Sequence, residues 1–228
     1  MDTIPILYED NHLLVVVKPP DLLSQGDRTG DRDLLTIMKE YIRQTYQKPG
    51  NVYLGLVHRL DRPVGGVMVF GKTSKGAARL SKQIRDGGFQ RRYLAVVEGY
   101  LEPISGSLRG YLIKDGKKNL VRVARADERG AQEAVLDYRV VDMNQSRSLV
   151  RIWLGTGRSH QIRVQMAAIG HPLYGDRRYG ARTNQRHQGQ IALWAECISF
   201  THPTTKEQLE FVQGPPEGKP WSAFRSRL

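Results

Sequence analysis

The sequence predicts an α+β fold, and three observations predict it. Short β-branched runs bounded by Gly, Pro and Asp recur along the whole chain. Helical spacing of apolar residues appears in only about three places. Between residues 105 and 154 the strand-like runs follow one another with no helical segment among them, which argues against alternating βαβ units and for strands segregated from helices.

Residues 4 to 8 and 13 to 18 read as strands, the second stopped by Pro19-Pro20. After a polar loop to Arg32, Asp33 is placed to cap a helix with the stripe Leu34, Leu35, Ile37, Met38, Tyr41, Ile42 and Thr45, ended by Pro49-Gly50. Val67 to Phe70 is an apolar strand. Ser74 stands as the cap of a basic helix carrying Ala77, Ala78, Leu80 and Ile84, closed by Gly87-Gly88. Phe89 to Gly99 reads as a strand whose entrance, Arg91, Arg92 and Tyr93, is basic and aromatic. Strands follow near 105 to 112, 119 to 125, 133 to 141 and 148 to 154. Gly155 to Arg163 opens a third helix that ends at Gly170, with Ile162, Met166 and Ile169 as its stripe. Arg158 and His160 sit at its start, where backbone N–H groups favour anions. Two last strands, near 190 to 200 and 207 to 213, flank a turn at Thr201 to Thr205, and the tail from about 214 is irregular until Trp221 and Phe224 pin it.

Hydrophobic residues at 39% and charged residues at 25% are globular values, and no shift in composition marks a boundary, so residues 1 to 228 are expected to form one domain. The 35 Lys and Arg against 23 Asp and Glu leave a net charge of +12. Such a balance suits a polyanion, whose counterions are released on binding, so a nucleic acid partner is expected. The arginine-rich loop from Gly175, with Arg177, Arg178, Arg182 and Arg186, reads equally as a face for that polyanion and as solvated surface. No apolar run approaches a membrane span, the N-terminus lacks a signal-like h-region, and the lone Cys197 forms no internal disulfide; a cytoplasmic protein is expected. Nothing signals a dimer, and a monomer is expected.

The densest chemistry lies in Val57-His58-Arg59-Leu60-Asp61-Arg62-Pro63-Val64-Gly65-Gly66. If this stretch is extended, alternation puts Arg59 and Asp61 on one face and His58, Leu60 and Arg62 on the other. A carboxylate beside guanidinium groups stays ionised, which suits a nucleophile or an electrostatic role better than proton donation. The same residues read as a structural Arg-Asp pair at a turn, with Pro63 and the glycines making the bend. Other chemistries find less support. Six histidines, at 12, 58, 160, 171, 187 and 202, form no pair at helix spacing and there is no CxxC, so no metal site is expected. No phosphate-binding glycine motif and no GxSxG elbow occurs, so neither a nucleotide cofactor nor a serine nucleophile is expected.

Three motifs then act together. His58-Arg59-Leu60-Asp61-Arg62, Arg92-Tyr93-Leu94-Ala95-Val96-Val97-Glu98-Gly99, and Thr156-Gly157-Arg158-Ser159-His160-Gln161-Ile162-Arg163-Val164 with Gly170-His171-Pro172-Leu173-Tyr174-Gly175-Asp176 closely resemble, in order, the RluA family of RNA pseudouridine synthases. The resemblance runs from Lys18-Pro19 to His202-Pro203-Thr204-Thr205. It implies a mixed, largely antiparallel bent sheet with flanking helices, and isomerisation of uridine to pseudouridine in ribosomal or transfer RNA without cofactor or metal. By motif position Asp61 is the nucleophile, Tyr93 stacks on the base, and Arg158 pairs with Asp61. Arg59 enters the stack where the base flips out, and His58, Arg62, Arg92 and His160 join it in RNA binding. The resemblance begins near residue 4, so no S4-like domain is expected ahead of it. Two departures stand out: Pro63-Val64-Gly65-Gly66 replaces an Asp/Asn-Thr-Ser-Gly common in relatives, and Gln165 stands where a histidine is common. Substrate choice is expected to rest on loops near 20 to 32, 114 to 130 and 177 to 190. A non-catalytic RNA binder and a base-removing glycosidase are the competing readings; the carboxylate in a basic cleft weighs against the first and the resemblance against the second.

Overall fold

The computed structural model describes residues 4–116, 118–180 and 190–227, the side chains of 225–227 excepted. In chain order the elements are β1 (Ile6–Glu9), β2 (Leu13–Lys18), α1 (Leu34–Thr45), β3 (Gly55–Leu56), β4 (Gly65–Gly71), α2 (Ser74–Asp86), β5 (Gln90–Glu98), β6 (Ser105–Asp115), β7 (Leu120–Ala124), β8 (Gln132–Met143), β9 (Arg147–Leu154), α3 (Gln161–Ala168), β10 (Leu193–Thr201), β11 (Gln208–Val212) and a closing 3-10 segment, Trp221–Arg227. The α+β class is as expected. The chain, taken as one domain from its even composition, divides into two compact units, Met1–Arg91 with Ala195–Gln213 and Arg92–Trp194 with Gly214–Leu228. Each unit gathers segments far apart in sequence, so a composition read along the chain has no boundary to find. Arg182, Arg186 and most of the arginine-rich loop fall outside the described residues.

In the first unit β2 and β4 pair antiparallel from Leu13–Gly71 to Lys18–Gly66, with β1 on β2 and β11 on β10. Every residue of β2 and β4 is buried, which explains why both read as continuous apolar runs rather than alternating ones. Leu13, Val15, Val67 and Val69 form the core with Leu80 of α2, Phe89, Ile198 and Phe200. The Phe89 and Phe200 rings stack at 5.2 Å. Helix α2 lies close on β4 because Gly71 has no side chain: a Cβ there would meet Ala77 N at 2.6 Å. Asp33 caps α1 as expected, accepting from Thr36 N–H at 3.0 Å. Helix α2 starts one residue earlier than its sequence suggests: Thr73, with extended backbone, is the cap and accepts from Gly76 N–H at 3.0 Å. Gly87 closes it in the left-handed conformation. The turn at Thr201 to Thr205 is built on buried His202, whose Nδ1 accepts from Thr204 and Thr205 N–H while Nε2 meets Asp10 at 2.9 Å.

In the second unit β5 pairs with β9, β9 with β8, β8 with β6 and β6 with β7, all antiparallel. An irregularity between Val140 and Asp142 shifts the register of β8 on β9. Leu112, Val121 and Ala134 pack with Val164 of α3, and Tyr179 leans against them. Trp221 and Phe224 are buried and tie down the tail, as expected. Helix α3 begins at Gln161, not at Gly155. The intervening residues form a turn whose cause lies in the site itself.

Candidate active site

The stretch around Asp61 belongs to the first unit and is held by its neighbours on both sides. Ser24 Oγ donates to Leu60 O at 2.8 Å and accepts from Leu60 N–H at 3.1 Å. Lys18 Nζ donates to Pro19 O, Leu22 O and Arg62 O at 3.0, 2.6 and 3.0 Å. Three N–H bonds meet three carbonyl acceptors, so this fully buried lysine is hydrogen-bonded in full. Burial still pulls its pKa down to about 7, against the opposing pull of the Asp21 and Asp61 carboxylates. Between the two clamps Asp61 opens a four-residue turn closed by Val64 N–H to Asp61 O at 2.9 Å. Gly66 beyond it has φ +127, and a Cβ there would lie 2.2 Å from Ala195 O. Gly66 is therefore required by close backbone approach as well as by the bend.

The expected alternation holds only as far as this turn. Leu60 is buried and Arg59 exposed, and Asp61 is partly buried. Arg62, expected on the buried side with Leu60, swings outward because the turn starts at Asp61, and it pairs with Asp31 at 2.6 Å. His58 differs more. Its Nε2 accepts from Val69 N–H at 3.1 Å, standing in for the strand partner that β3 no longer provides, and its ring lies 5.4 Å from Phe89. Burial, helped by the Arg91 guanidinium, pushes its pKa down to about 3. Burial and Arg91 thus favour the neutral ring at His58, which the resemblance places among the RNA-binding residues. Because this pKa lies below the value near 6.5 of an unfolded histidine, the neutral ring stabilises the fold fully above pH 6.5 and that contribution is lost as pH falls from 6.5 towards 3. His58→Gln, which keeps an acceptor, is expected to flatten the fall in unfolding free energy from urea titration between pH 6.5 and 4 by about 1 to 3 kcal/mol. Parallel slopes for the two proteins would refute it.

The remaining expected site residues belong to the second unit. Tyr93 is buried on β5 opposite Ile152, and Arg92 is half-buried opposite Trp153. Arg158 is exposed and its Nε donates to Glu133 O at 2.8 Å. Its backbone N–H is not open to an anion, as its expected position in a helix start would have it. Buried Gln161 reaches back, its Oε1 accepting from Arg158 N–H at 3.0 Å and Thr156 hydroxyl at 2.8 Å while Nε2 donates to Val135 O at 3.0 Å. This side chain holds residues 156 to 160 in a turn and delays the helix. His160 has φ 53, and its Nδ1 lies 2.6 Å from Tyr179 Oη. That hydroxyl also accepts from Val121 N–H at 2.9 Å. Tyr179 in turn carries the Arg163 guanidinium 5.1 Å over its ring, and Arg163 makes two 2.8 Å bonds to buried Asp176.

Residues 12–168 match the family described as RNA pseudouridylate synthase. The chain belongs to this family. Among the relatives of this RNA pseudouridylate synthase-family chain, tRNA pseudouridine synthase C of Pasteurella multocida is 34% identical over 232 residues, covering 93% of this chain and 91% of the relative. Ribosomal large subunit pseudouridine synthase C of Buchnera aphidicola subsp. Schizaphis graminum is 35% identical over 214 residues, 91% of this chain and 66% of the relative. An uncharacterised RNA pseudouridine synthase of Mycoplasma pneumoniae is 32% identical over 206 residues, and the chain spans 65% of its length. The solved human RNA pseudouridylate synthase domain containing 4 superposes with a TM-score of 0.78 over 93% of this chain and 88% of that one at 22% identity, a likeness of fold.

Within this family member the residues that sequence reasoning missed are supports rather than reagents. Lys18 and Ser24 fasten the backbone on either side of Asp61, and Gln161 shapes the turn that presents Arg158. The one signal for Lys18 was a lone cation closing an apolar strand; Gln161 stood only as one residue of the third motif, and Ser24 carried none. Among the described residues no group of three or more His, Cys, Asp or Glu is gathered as a metal would need, and no helix is long and apolar enough to cross a membrane.

Proposed function

We propose that this chain isomerises uridine to pseudouridine in ribosomal or transfer RNA, acting as a monomer in the cytoplasm with Asp61 as nucleophile. The observation that carries the reading is a half-buried carboxylate at the family's motif position, backbone-clamped by Ser24 and Lys18, in a chain of net charge +12. The reaction breaks the N1–C1′ bond, turns the uracil, and forms C5–C1′. The C5 proton is lost and N1 gains one, so atoms balance without a co-reactant. Asp61 attacks C1′ or assists a route through a glycal, and in both the detached base must stay bound. Tyr93 is assigned to stack on that base, and Arg158 is the cation that the resemblance matches to the nucleophile. Exposed Arg59 is assigned to enter the stack as the base leaves it, with Arg62, Arg92 and His160 gripping RNA. The two named relatives above act, by their names, on transfer RNA and large-subunit ribosomal RNA, and the choice between these follows from no residue here. Pseudouridine mapping in total RNA is the test, comparing a strain lacking this gene with strains restored by wild type or by Asp61→Ala. A uridine modified only with wild type is expected. The same modification with Asp61→Ala would overturn the assignment.

A further inference from the structure

Tyr179, in the loop after Asp176, uses its hydroxyl twice. Oη accepts from the N–H of Val121 at 2.9 Å and lies 2.6 Å from His160 Nδ1. A phenol has one hydrogen to give. Burial raises the Tyr179 pKa, so the group stays protonated at neutral pH, and among the described residues His160 Nδ1 is the acceptor for that hydrogen. The O–H therefore donates to Nδ1, and neutral His160 carries its own proton on Nε2. One hydroxyl joins two elements by two bonds of opposite sense.

Each element depends on that bond. β7 ends the path of strands, where outward backbone groups lack a strand partner, and Val121 N–H finds its acceptor in Tyr179. His160 holds a left-handed backbone, φ 53 and ψ 20, at the start of α3, and its side chain makes no capping bond to the helix. A residue with a side chain keeps such a backbone only where its surroundings determine it. Tyr179 does so at one end of the 156 to 160 turn, and Gln161 holds Thr156 and the Arg158 N–H at the other. The same loop grips the β6–β7 connection a second time, Arg178 Nη1 donating to Asn119 O at 2.6 Å. That hairpin exposes Lys114 and Lys118. We propose that Tyr179 is a positioning residue whose hydroxyl ties the β6–β7 hairpin to the turn presenting Arg158, so that RNA held by the hairpin lysines sets the arginine. The inference rests on the RNA-modifying reading and adds to it a link between a substrate-choosing loop and the cation matched to the nucleophile.

Tyr179→Phe in the full chain removes the hydroxyl and keeps the ring, which packs with Leu112, Val121, Ala134 and Val164 beneath the Arg163 guanidinium. Nitrogen NMR of the free protein is expected to show wild-type His160 protonated at Nε2 and bare at Nδ1, and both tautomers in the variant. Hydrogen exchange at Val121 should speed up at least about tenfold while β8 and β9 keep their protection. At saturating RNA the single-turnover rate is expected to fall about tenfold, with RNA affinity within about twofold, because the turn loosens while the hairpin cations remain. His160→Leu removes the acceptor and should lower that rate by a similar factor, and the double variant no further. Lys114→Ala with Lys118→Ala should weaken RNA binding about tenfold in either background, yet lower the saturating rate only where Tyr179 is present. An unchanged rate or an unchanged His160 tautomer in Tyr179→Phe would overturn the proposal. So would additive losses in the double variant, or an equal rate loss from the lysine variant in both backgrounds. The expected tautomer and exchange changes in a chain whose wild type modifies no RNA would refute the RNA-modifying reading instead, and leave Tyr179 holding His160 and Val121.

Discussion

Asp61→Asn is expected to lower single-turnover pseudouridine formation at least about a thousandfold while RNA affinity stays within a few fold. The substitution keeps the size of the side chain and removes its capacity to bond to C1′ or to stabilise positive charge on the sugar. Ser24 to Leu60, Lys18 to Arg62, and the backbone bond from Val64 N–H to Asp61 O hold the turn through groups that the substitution leaves unchanged. One side effect has a definite sign. The Asp61 charge is among those that raise the Lys18 pKa, so its removal lets burial pull that pKa lower, and through this group the variant loses a little stability at neutral and acid pH and none above the unfolded lysine pKa. The decisive readout is release of tritium from C5-labelled uridine in an RNA that the wild type modifies, alongside filter binding of the same RNA. More than about one per cent residual rate would remove Asp61 from the nucleophile's role, given the size of covalent-catalysis effects. Equal loss of binding would instead make it a recognition residue.

What was legible in the sequence followed from local rules. The all-apolar runs of β2 and β4, the Asp33 cap and the left-handed Gly87 are each decided by residues a few positions apart. Asp61 was singled out by its place between two arginines and by the motif that resembles the family's. The supports were not, because each depends on a partner far along the chain: Ser24 on Leu60, Lys18 on Arg62, Gln161 on Val135. His58 shows the same limit from the other side. Burial first, and then Arg91, lower its pKa, and its hydrogen-bond partner is Val69; neither residue is adjacent to it in sequence. The start of α3 was misplaced for a related reason, since a glutamine side chain competes with the helix for the backbone N–H of Arg158.

The largest effect on stability is expected at Asp176. Its carboxylate is wholly buried and accepts two 2.8 Å bonds from Arg163 and two more from the backbone N–H groups of Arg178 and Tyr179. Burial alone would raise its pKa, and the Arg163 hydrogen bonds and charge with the two N–H groups outweigh burial and hold it below the usual carboxylate range. The folded value being the lower one, this stabilisation is present above the unfolded carboxylate pKa and lost only as pH falls below it. Asp176→Ala leaves the Arg163 guanidinium buried without its counter-ion and is expected to cost about 3–5 kcal/mol in urea unfolding at pH 7. The damage should spread, because Arg163 covers the Tyr179 ring and the Tyr179 hydroxyl joins His160 to Val121. Arg163→Met alone strands a carboxylate and should cost a similar amount. The double variant Arg163→Met with Asp176→Leu removes both charges and is expected to recover more than half of the summed loss, the sign of coupling between contacting groups. Additive losses in the double variant, or a cost below about 1 kcal/mol for Asp176→Ala, would show that packing of α3 on Val121 and Leu112 rather than the ion pair holds this side of the unit.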